Sequence, residues 1–526
     1  MQFIPEQSVR KTFIICSLLS LGFILAASFF SYGFYDFDEH FQVLEFVSLK
    51  LHRAAVQGMA WEYAAHARQW FQPFVYYCAV KGLLALGMHD FLSIGFFLRL
   101  CSGLFGWIAL VAFAGFGVSW FASLPQKLLF IRATFLLWFV PYLLVRTSSE
   151  NASAVLFLLG LSVLLFNLQD PRAQATDAKR AAIVFVAGFI LGMSFEMRFQ
   201  VSVMVAGLVA WLVFVRRVPA TVIAFLAAGI AAAIAAGAVI DRWGYGDWTF
   251  VPWAYVKAHL IQGAAARFGT SPFFAYPYLL LAHPLAPIIL LLMAAFVIAW
   301  VKAPRHVLTW ITLPFFAVHC LVGHKEPRFL FPIAVYAGFF LAMAFYQQRA
   351  TSWLWHKKLF SVRVLLYGLN AVGFVVACFF PLNSDSQMQH YIATHFKNGY
   401  EGYTVDYDPF VLHHIPATFY RPRPYVMHYV KDCGALKDSI PAGRSPVYFT
   451  AYYSGFPYNS CGTPDSAVCL YEAVSFQRQL YRYIVSALPA LKKVTKWDGR
   501  VRCLYKIESN SFFLRDNDSI GLREKQ

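Results

Sequence analysis

The string His324-Lys325-Glu326-Pro327-Arg328-Phe329-Leu330-Phe331-Pro332 packs four ionisable side chains into five positions between two apolar stretches. Charge at the edge of a hydrocarbon-length segment is costly to keep there and by default marks a functional site. His324, Lys325 and Arg328 suit a phosphate, which Arg328 can grip bidentately, with Glu326 among them. A second cluster, Asp36-Phe37-Asp38-Glu39-His40-Phe41-Gln42, places three carboxylates in four residues. Mutual repulsion at that density can raise one pKa, and such a group can deprotonate a sugar hydroxyl or hold a cation. The plainer alternative is a solvated loop that stops a helix. Trp61-Glu62-Tyr63, followed by Arg68, sets an aromatic ring beside a carboxylate and a guanidinium. That combination contacts sugars or phosphates, although a Trp-anchored interfacial helix would look the same. Arg146 in Arg146-Thr147-Ser148-Ser149-Glu150-Asn151, Arg198 in Glu196-Met197-Arg198, and Asp241 at the end of another apolar run complete the polar candidates. No HExxH, Walker loop, GxSxG or metal-spaced histidine cluster is present, so neither a metal nor a cofactor is expected, and any divalent-cation requirement is left open.

Membrane helices must position these groups. The 526 residues are 59% hydrophobic and 13% charged, with mean hydropathy +0.54, which excludes a soluble protein. Runs long enough to span a bilayer fall near 12–34, 92–121, 127–145, 150–168, 181–197, 200–216, 218–240, 279–302, 306–322, 330–346 and 361–381. They predict an all-α polytopic membrane protein with about 11 transmembrane helices. The net charge of +17 is spread through loops and tail, which points to membrane topology and anionic lipids and away from nucleic acid. Arg10 and Lys11 hold the N-terminus on the cytoplasmic side, and later Lys and Arg residues flank each loop that topology makes cytoplasmic. The first run is too long for an ordinary signal-peptide core and reads as an uncleaved anchor. All the polar clusters then face the opposite, outer side. Segment 73–90, short and carrying Lys81, is expected to be interfacial or re-entrant.

Residues 1–381 are therefore expected to form a transmembrane domain with an outer catalytic loop at 35–91, and 382–526 a C-terminal soluble α+β outer domain. Within the latter, 447–449 and 501–505 read as strands and 470–488 as a helix. Cys433, Cys461, Cys469 and Cys503 in that region suggest up to two disulfides and an oxidising compartment, with three pairings open.

The string at 324–332 resembles the HKE-x-R-F-L-F-P signature of glycosyltransferase family 22, which holds the mannosyltransferases that build GPI anchors and dolichol-linked oligosaccharides. Asp38 and Glu39 align with the DE of its HPDE-[YF]-[FW]-Q motif, while Asp36 stands where the family has His and Phe37 where it has Pro. Trp61, Glu62 and Arg68 resemble its TWE-[WF] and R…P elements. Arg146 falls in its R-T-x-S-N-x-x-E, with Asn and Glu in reverse order here, and Arg198 in its R-P-T. Asp241-Arg242-Trp243-Gly244-Tyr245-Gly246-Asp247-Trp248 is similar to its D-[SR]-x-x-Y-G-x-W loop, and Gly269-Thr270-Ser271-Pro272 to its Y-G-T-H-P. The partial motifs occur in family order over roughly residues 30–335.

The resemblance implies a GT-C-type fold and an inverting α-mannosyltransferase with a polyprenyl-phosphate mannose donor and a lipid-linked glycan acceptor. It makes Asp38 the candidate base, with Glu39 or Asp36 orienting the acceptor. It makes His324, Lys325 and Arg328 candidates for the departing phosphate. The membrane would be endoplasmic reticulum in a eukaryote or the inner membrane in a bacterium, with the C-terminus luminal or periplasmic. The alternatives are transfer of another lipid-linked sugar onto a bacterial glycolipid, and a lipid-linked-sugar flippase.

Overall fold

A long apolar run with no water to bond must satisfy its backbone internally, and a helix does so within one segment. The computed structural model describes residues 6–169, 178–346, 360–382, 384–396, 399–405, 418–420, 425–430, 436, 438–440, 446–454, 467–473 and 500–507. Its main helices are α1 (Gln7–Phe30), α2 (Phe71–Ala85), α3 (Phe91–Gly117), α4 (Leu124–Leu136), α5 (Ser149–Leu168), α6 (Ala178–Met197), α7 (Ser202–Ala210), α8 (Ala220–Tyr245), α9 (Ala286–Lys302), α10 (Val307–Leu321), α11 (Ala337–Tyr346), α12 (Phe360–Phe379) and α13 (Ser384–His395). Among the described residues, seven helical segments are long and apolar enough to cross a membrane. An eighth is a pair, Pro327–Ala334 and Ala337–Ala344, bent by 69°. The chain is an integral multi-pass membrane protein.

The difference from eleven unbroken spans has local causes. The run at 127–145 stops at Leu137, where Asn370 of α12 enters the helix ladder. Its amide donates to the Leu136 carbonyl (2.9 Å) and its carbonyl accepts from Trp138 N (3.0 Å). The run at 279–302 is cut before α9 at His283-Pro284, where proline cannot continue the ladder. The run at 306–322 gives α10, apolar but only 15 residues long. Segment 73–90 forms the short, well-exposed helix α2.

Tight helix contact relies on small residues, as it does where lipid gives helices no hydrophobic reason to associate. A Cβ at Gly188 of α6 would strike the Leu226 carbonyl of α8, and one at Gly229 of α8 the Phe185 carbonyl of α6. Phe113, Phe130, Phe157, Phe315, Phe339 and Phe340 fill the centre of the bundle.

Beyond α12, helix α13 packs on a five-stranded sheet of β1 (Tyr400–Val405), β2 (Tyr425–Val430), β3 (Val447–Ser454), β4 (Ala467–Ala473) and β5 (Arg500–Ile507), ordered β2-β1-β3-β5-β4. β1 runs parallel to β2 and β3, while β5 lies antiparallel between β3 and β4. Both expected strands are present. The expected helix at 470–488 is corrected at its start: residues 470–473 complete β4, paired with β5, and the remainder lies outside the described residues. Tyr471 and Leu470 pack there against α13, which explains why an apolar-periodic stretch reads as helix but serves as strand. Cys469 lies on β4 and Cys503 on β5, while Cys433 and Cys461 lie outside the described residues.

Candidate active site

The chain leaves α1 through a turn at Gly33, whose φ of +103° favours glycine. Arg146, fully buried, donates to the carbonyls of Ser31 (2.5 Å) and Gly33 (3.3 Å) and lies 5.0 Å from the centre of the Tyr142 ring. It satisfies carbonyls just past a helix C-terminus, which a cation does well. Arg146, a substrate-contact candidate in the sequence, is thus engaged by the backbone where the chain leaves α1.

Asp36 then caps the short helix Phe37–Glu39 by accepting from Asp38 N (3.3 Å). Glu39 turns inward and is buried. It accepts from Tyr35 N (2.8 Å), Thr147 N (2.8 Å) and the Thr147 hydroxyl (3.1 Å), tying the acidic loop to the start of α5. These bonds make Glu39 a bracket for the loop, not a group facing the open side with its two acidic neighbours. Asp36 and Asp38 remain one-third exposed.

Arg328 is the hub. Its guanidinium reaches Asp38 Oδ2 at 2.6 Å, Asp36 Oδ1 at 3.4 Å and Glu150 Oε1 at 3.4 Å, and it donates from Nε to Glu326. Residues 36 and 328, distant in sequence, thus meet through one planar fork, a geometry a lysine could not supply. Burial pushes the Asp36 carboxyl up to about 6; Glu326 and Asp38 add to the rise, and Arg328 opposes it. Burial works against ionised Glu326 as well, but hydrogen bonds from His324 and Arg328 outweigh it and hold that carboxyl down at about 2.

A second cationic group sits alongside. Arg68 donates to the Ser149 hydroxyl at 2.6 Å, and Arg198 donates to the same hydroxyl at 3.0 Å while pairing with Glu150 at 3.0 Å. Burial, and next the adjacent Arg198 charge, push the Arg68 pKa below its ordinary value. Two guanidinium groups converging on one neutral hydroxyl make a place suited to an anion. Glu62 is buried nearby and accepts from Gln42 Nε2 at 2.7 Å, while the other amide atom, Gln42 Oε1, is buried without a partner. Burial, then the Asp38 charge, raise the Glu62 carboxyl to about 7.

The remaining candidates have structural partners. Lys325 donates to the carbonyls of Val322 (2.6 Å) and Ser271 (2.9 Å), and His324 bonds to Glu326 (2.7 Å) and the Gly269 carbonyl (3.1 Å). These bonds tie both residues, the sequence's phosphate candidates, to the loop at 269–271. Asp241 is buried on α8 and accepts from Trp70 N at 2.8 Å, which likewise makes it a support. Trp61 packs its ring edge-on to His259, with centroids 5.3 Å apart, at the border of the cluster. Among the described residues no group of three or more His, Cys, Asp or Glu side chains is arranged to hold a metal ion.

Sequence reasoning missed Glu150, Ser149 and Gln42. Glu150 had a readable signal, because an acid in the first turn of an apolar span is costly unless it meets a cation. Gln42 and Ser149 had a signal too, since they stand at the Q of the HPDE-[YF]-[FW]-Q motif and the S of the R-T-x-S element.

The raised carboxyls imply a pH dependence. If transfer needs the cluster ionised, kcat/KM should fall as pH drops through about 7 and 6, the values for Glu62 and Asp36. Glu62→Gln should move that acid limb downward, toward the Asp36 value of about 6. An acid limb near pH 4 in the unaltered protein would show that neither raised carboxyl must ionise.

Residues 13–421 match the Alg9-like mannosyltransferase family. The chain belongs to that family. Its polytopic helical architecture with a small C-terminal sheet agrees with the GT-C type expected for a member. Among curated proteins it is similar to mannosyltransferase APTG1 of Arabidopsis thaliana, 28% identical over 117 residues, 22% of this chain and 20% of that protein. It is also similar to GPI alpha-1,2-mannosyltransferase 3 of Mus musculus, 30% identical over 115 residues, 20% of each. The match thus spans about a fifth of each relative's length. Among solved structures, ArnT of Cupriavidus metallidurans bound to undecaprenyl phosphate aligns at TM-score 0.49 and 12% identity, over 94% of this chain and 97% of that one. The Archaeoglobus fulgidus oligosaccharyltransferase aligns at 0.46 and 13%, over 79% and 62%.

Proposed function

We propose that this protein is an inverting α-mannosyltransferase that moves mannose from a polyprenyl (dolichyl) phosphate to a lipid-linked glycan acceptor, on the luminal or periplasmic face of its membrane. The observation that carries the reading is the run of contacts from Asp38, one-third exposed and 2.6 Å from Arg328, through Glu150 to Arg198, which shares the Ser149 hydroxyl with the buried Arg68. The chemistry needs these two features together. An acceptor hydroxyl attacks the anomeric carbon, its proton passes to Asp38, and the bond from that carbon to the phosphate oxygen breaks with the electron pair on oxygen. The phosphate then carries growing negative charge, which Arg68 and Arg198 are placed to stabilise in a largely dehydrated setting. Arg328 fixes the base and links it to Glu150, which in turn holds Arg198.

A polyprenyl tail needs an apolar track, and the membrane helices carry one candidate. A groove of about 550 Å³ lined by Phe195, Ser202, Val209, Phe214 and Ile230 runs between α6, α7 and α8.

The test is transfer of radiolabelled mannose from synthetic polyprenyl-phosphate mannose, by the purified protein, into lipid extracted from its own host membrane. A labelled glycolipid cleaved by an α-mannosidase is expected. Arg68→Ala and Arg198→Ala should each weaken use of this donor by about tenfold or more, through loss of charge-assisted bonds. No transfer from this donor, with transfer from another lipid-linked sugar, would overturn the mannosyl assignment.

A further inference from the structure

Glu45 opens a short helix, Glu45–Lys50, and its carboxylate is buried. Its partners come from 373 positions further along the chain. It accepts from Thr418 N at 2.6 Å, from Phe419 N at 3.1 Å and from the Thr418 hydroxyl, and it pairs with His40 Nε2 at 2.8 Å. Residues 418–420 are also anchored by packing. Phe419 is fully buried among Leu44, Val47, Phe91 and Leu98, and Arg53 donates to its carbonyl at 3.5 Å. The Tyr420 ring lies against Gly95 of α3, where a Cβ would collide with it, and 5.6 Å from the His40 ring.

What these contacts hold is the turn that follows the acidic string. Residues His40–Leu44 form a π-helical turn, an arrangement rare enough that surrounding contacts must maintain it and one often found at functional sites. Asp36, Asp38 and Glu39 precede it directly. Without Thr418 and Phe419 the Glu45 carboxylate would stay buried with His40 alone, and a buried acceptor stripped of its donors must move toward water or other partners. The turn would move with it. The family match also runs on to residue 421, directly past this segment, although the last span ends at Phe379.

We infer that residues Thr418–Tyr420 are a built-in part of the catalytic site: by bonding Glu45 they set the π-helical turn and thereby the position of Asp38. Glu45 and Thr418 are positioning residues, and the inference rests on Asp38 being the base of the proposed transfer. It makes the region after the last span necessary for turnover without any contact to donor or acceptor.

The experiment uses the full chain in lipid nanodiscs, with Thr418→Val, Thr418→Ser and Glu45→Gln. Amide hydrogen exchange over residues 36–45 is measured beside kcat and donor KM per folded molecule. Thr418→Val is expected to speed exchange over 36–45 and lower kcat by about 10–100-fold with donor KM little changed, because a small misplacement of the base costs rate more than binding. Thr418→Ser, which keeps the hydroxyl, should restore both. Exchange altered only at 418–420, or a loosened 36–45 segment with unchanged kcat, would overturn the inference. Should Glu45→Gln fail to fold, the two Thr418 variants decide. Absence of mannosyl transfer in the unaltered protein would strike the function instead, and the exchange data would still settle whether residue 418 controls the turn.

Discussion

Asp38→Asn is expected to reduce turnover by about 10²–10⁴-fold, the span associated with loss of a positioned general base. Asparagine keeps the size of the side chain and an oxygen for Arg328, which now reaches Asp38 Oδ2 at 2.6 Å, so the fold should survive. Donor binding should change little, since the phosphate is assigned to Arg68 and Arg198. Asp36→Asn should cost less: Asp36 lies further from Arg328, at 3.4 Å, and its first contribution is to cap the Phe37–Glu39 turn. Glu39→Gln should act differently from both. Glu39 accepts three hydrogen bonds that fix the loop, so its loss should show as lower thermal stability before it shows as lower kcat. The measurement is transfer at saturating donor for all three variants, each normalised to folded protein. Near-normal turnover in Asp38→Asn together with collapse in Asp36→Asn would move the base to position 36.

Arg328→Ala should have the broadest effect in the chain. The Arg328 guanidinium contacts Asp36, Asp38, Glu150 and Glu326 at once, and it is buried. Removing it strands carboxylates whose charge it balances, and breaking a buried pair by deleting one partner costs about 3–5 kcal/mol. Transfer should be abolished, because the base loses its orientation along with its counter-charge. Arg328→Lys should recover part of the stability and little of the activity, since an ammonium cannot bridge four carboxylates in one plane. The sign of the pH effect is fixed by linkage. Without the cation the Asp36 carboxyl, already pushed up to about 6 by burial, rises further above its unfolded value, so the folded state binds more protons there and the variant gains stability as pH falls. Melting curves of the unaltered and variant proteins between pH 5 and 8 read this directly. An Arg328→Ala protein with unaltered melting temperature and unaltered transfer would reduce the hub to a surface loop.

Which parts of this picture were legible beforehand follows from what each signal depends on. Hydropathy and length revealed the membrane helices, and the acidic and basic strings at 36–39 and 324–328 stood out because charge beside apolar runs is costly. Pro284 marked one break, and the break in the run at 127–145 had no such mark. Nothing near Leu136 announces that Asn370, far along the chain, will enter the ladder there. The two strands at 447–449 and 501–505 were readable from their β-rich composition, whereas 470–473 was drawn into a helix because its pairing with β5 lies outside any local window.

The site divides the same way. The sequence by itself determined the inventory: a polytopic helical enzyme scaffold of this family, an acid cluster after the first span, and an arginine-bearing string before a late one. Only the tertiary structure decided the roles. It joined Asp38 to Arg328 and set Arg68 and Arg198 on one hydroxyl. It bonded Glu39, Arg146, Asp241 and Lys325 to backbone groups of neighbouring segments. It also brought Thr418 to Glu45. The physical reason is that a charged side chain has many possible partners of nearly equal merit in water. Burial removes water as a partner, and then the few groups that folding places within about 3 Å decide what each charge does.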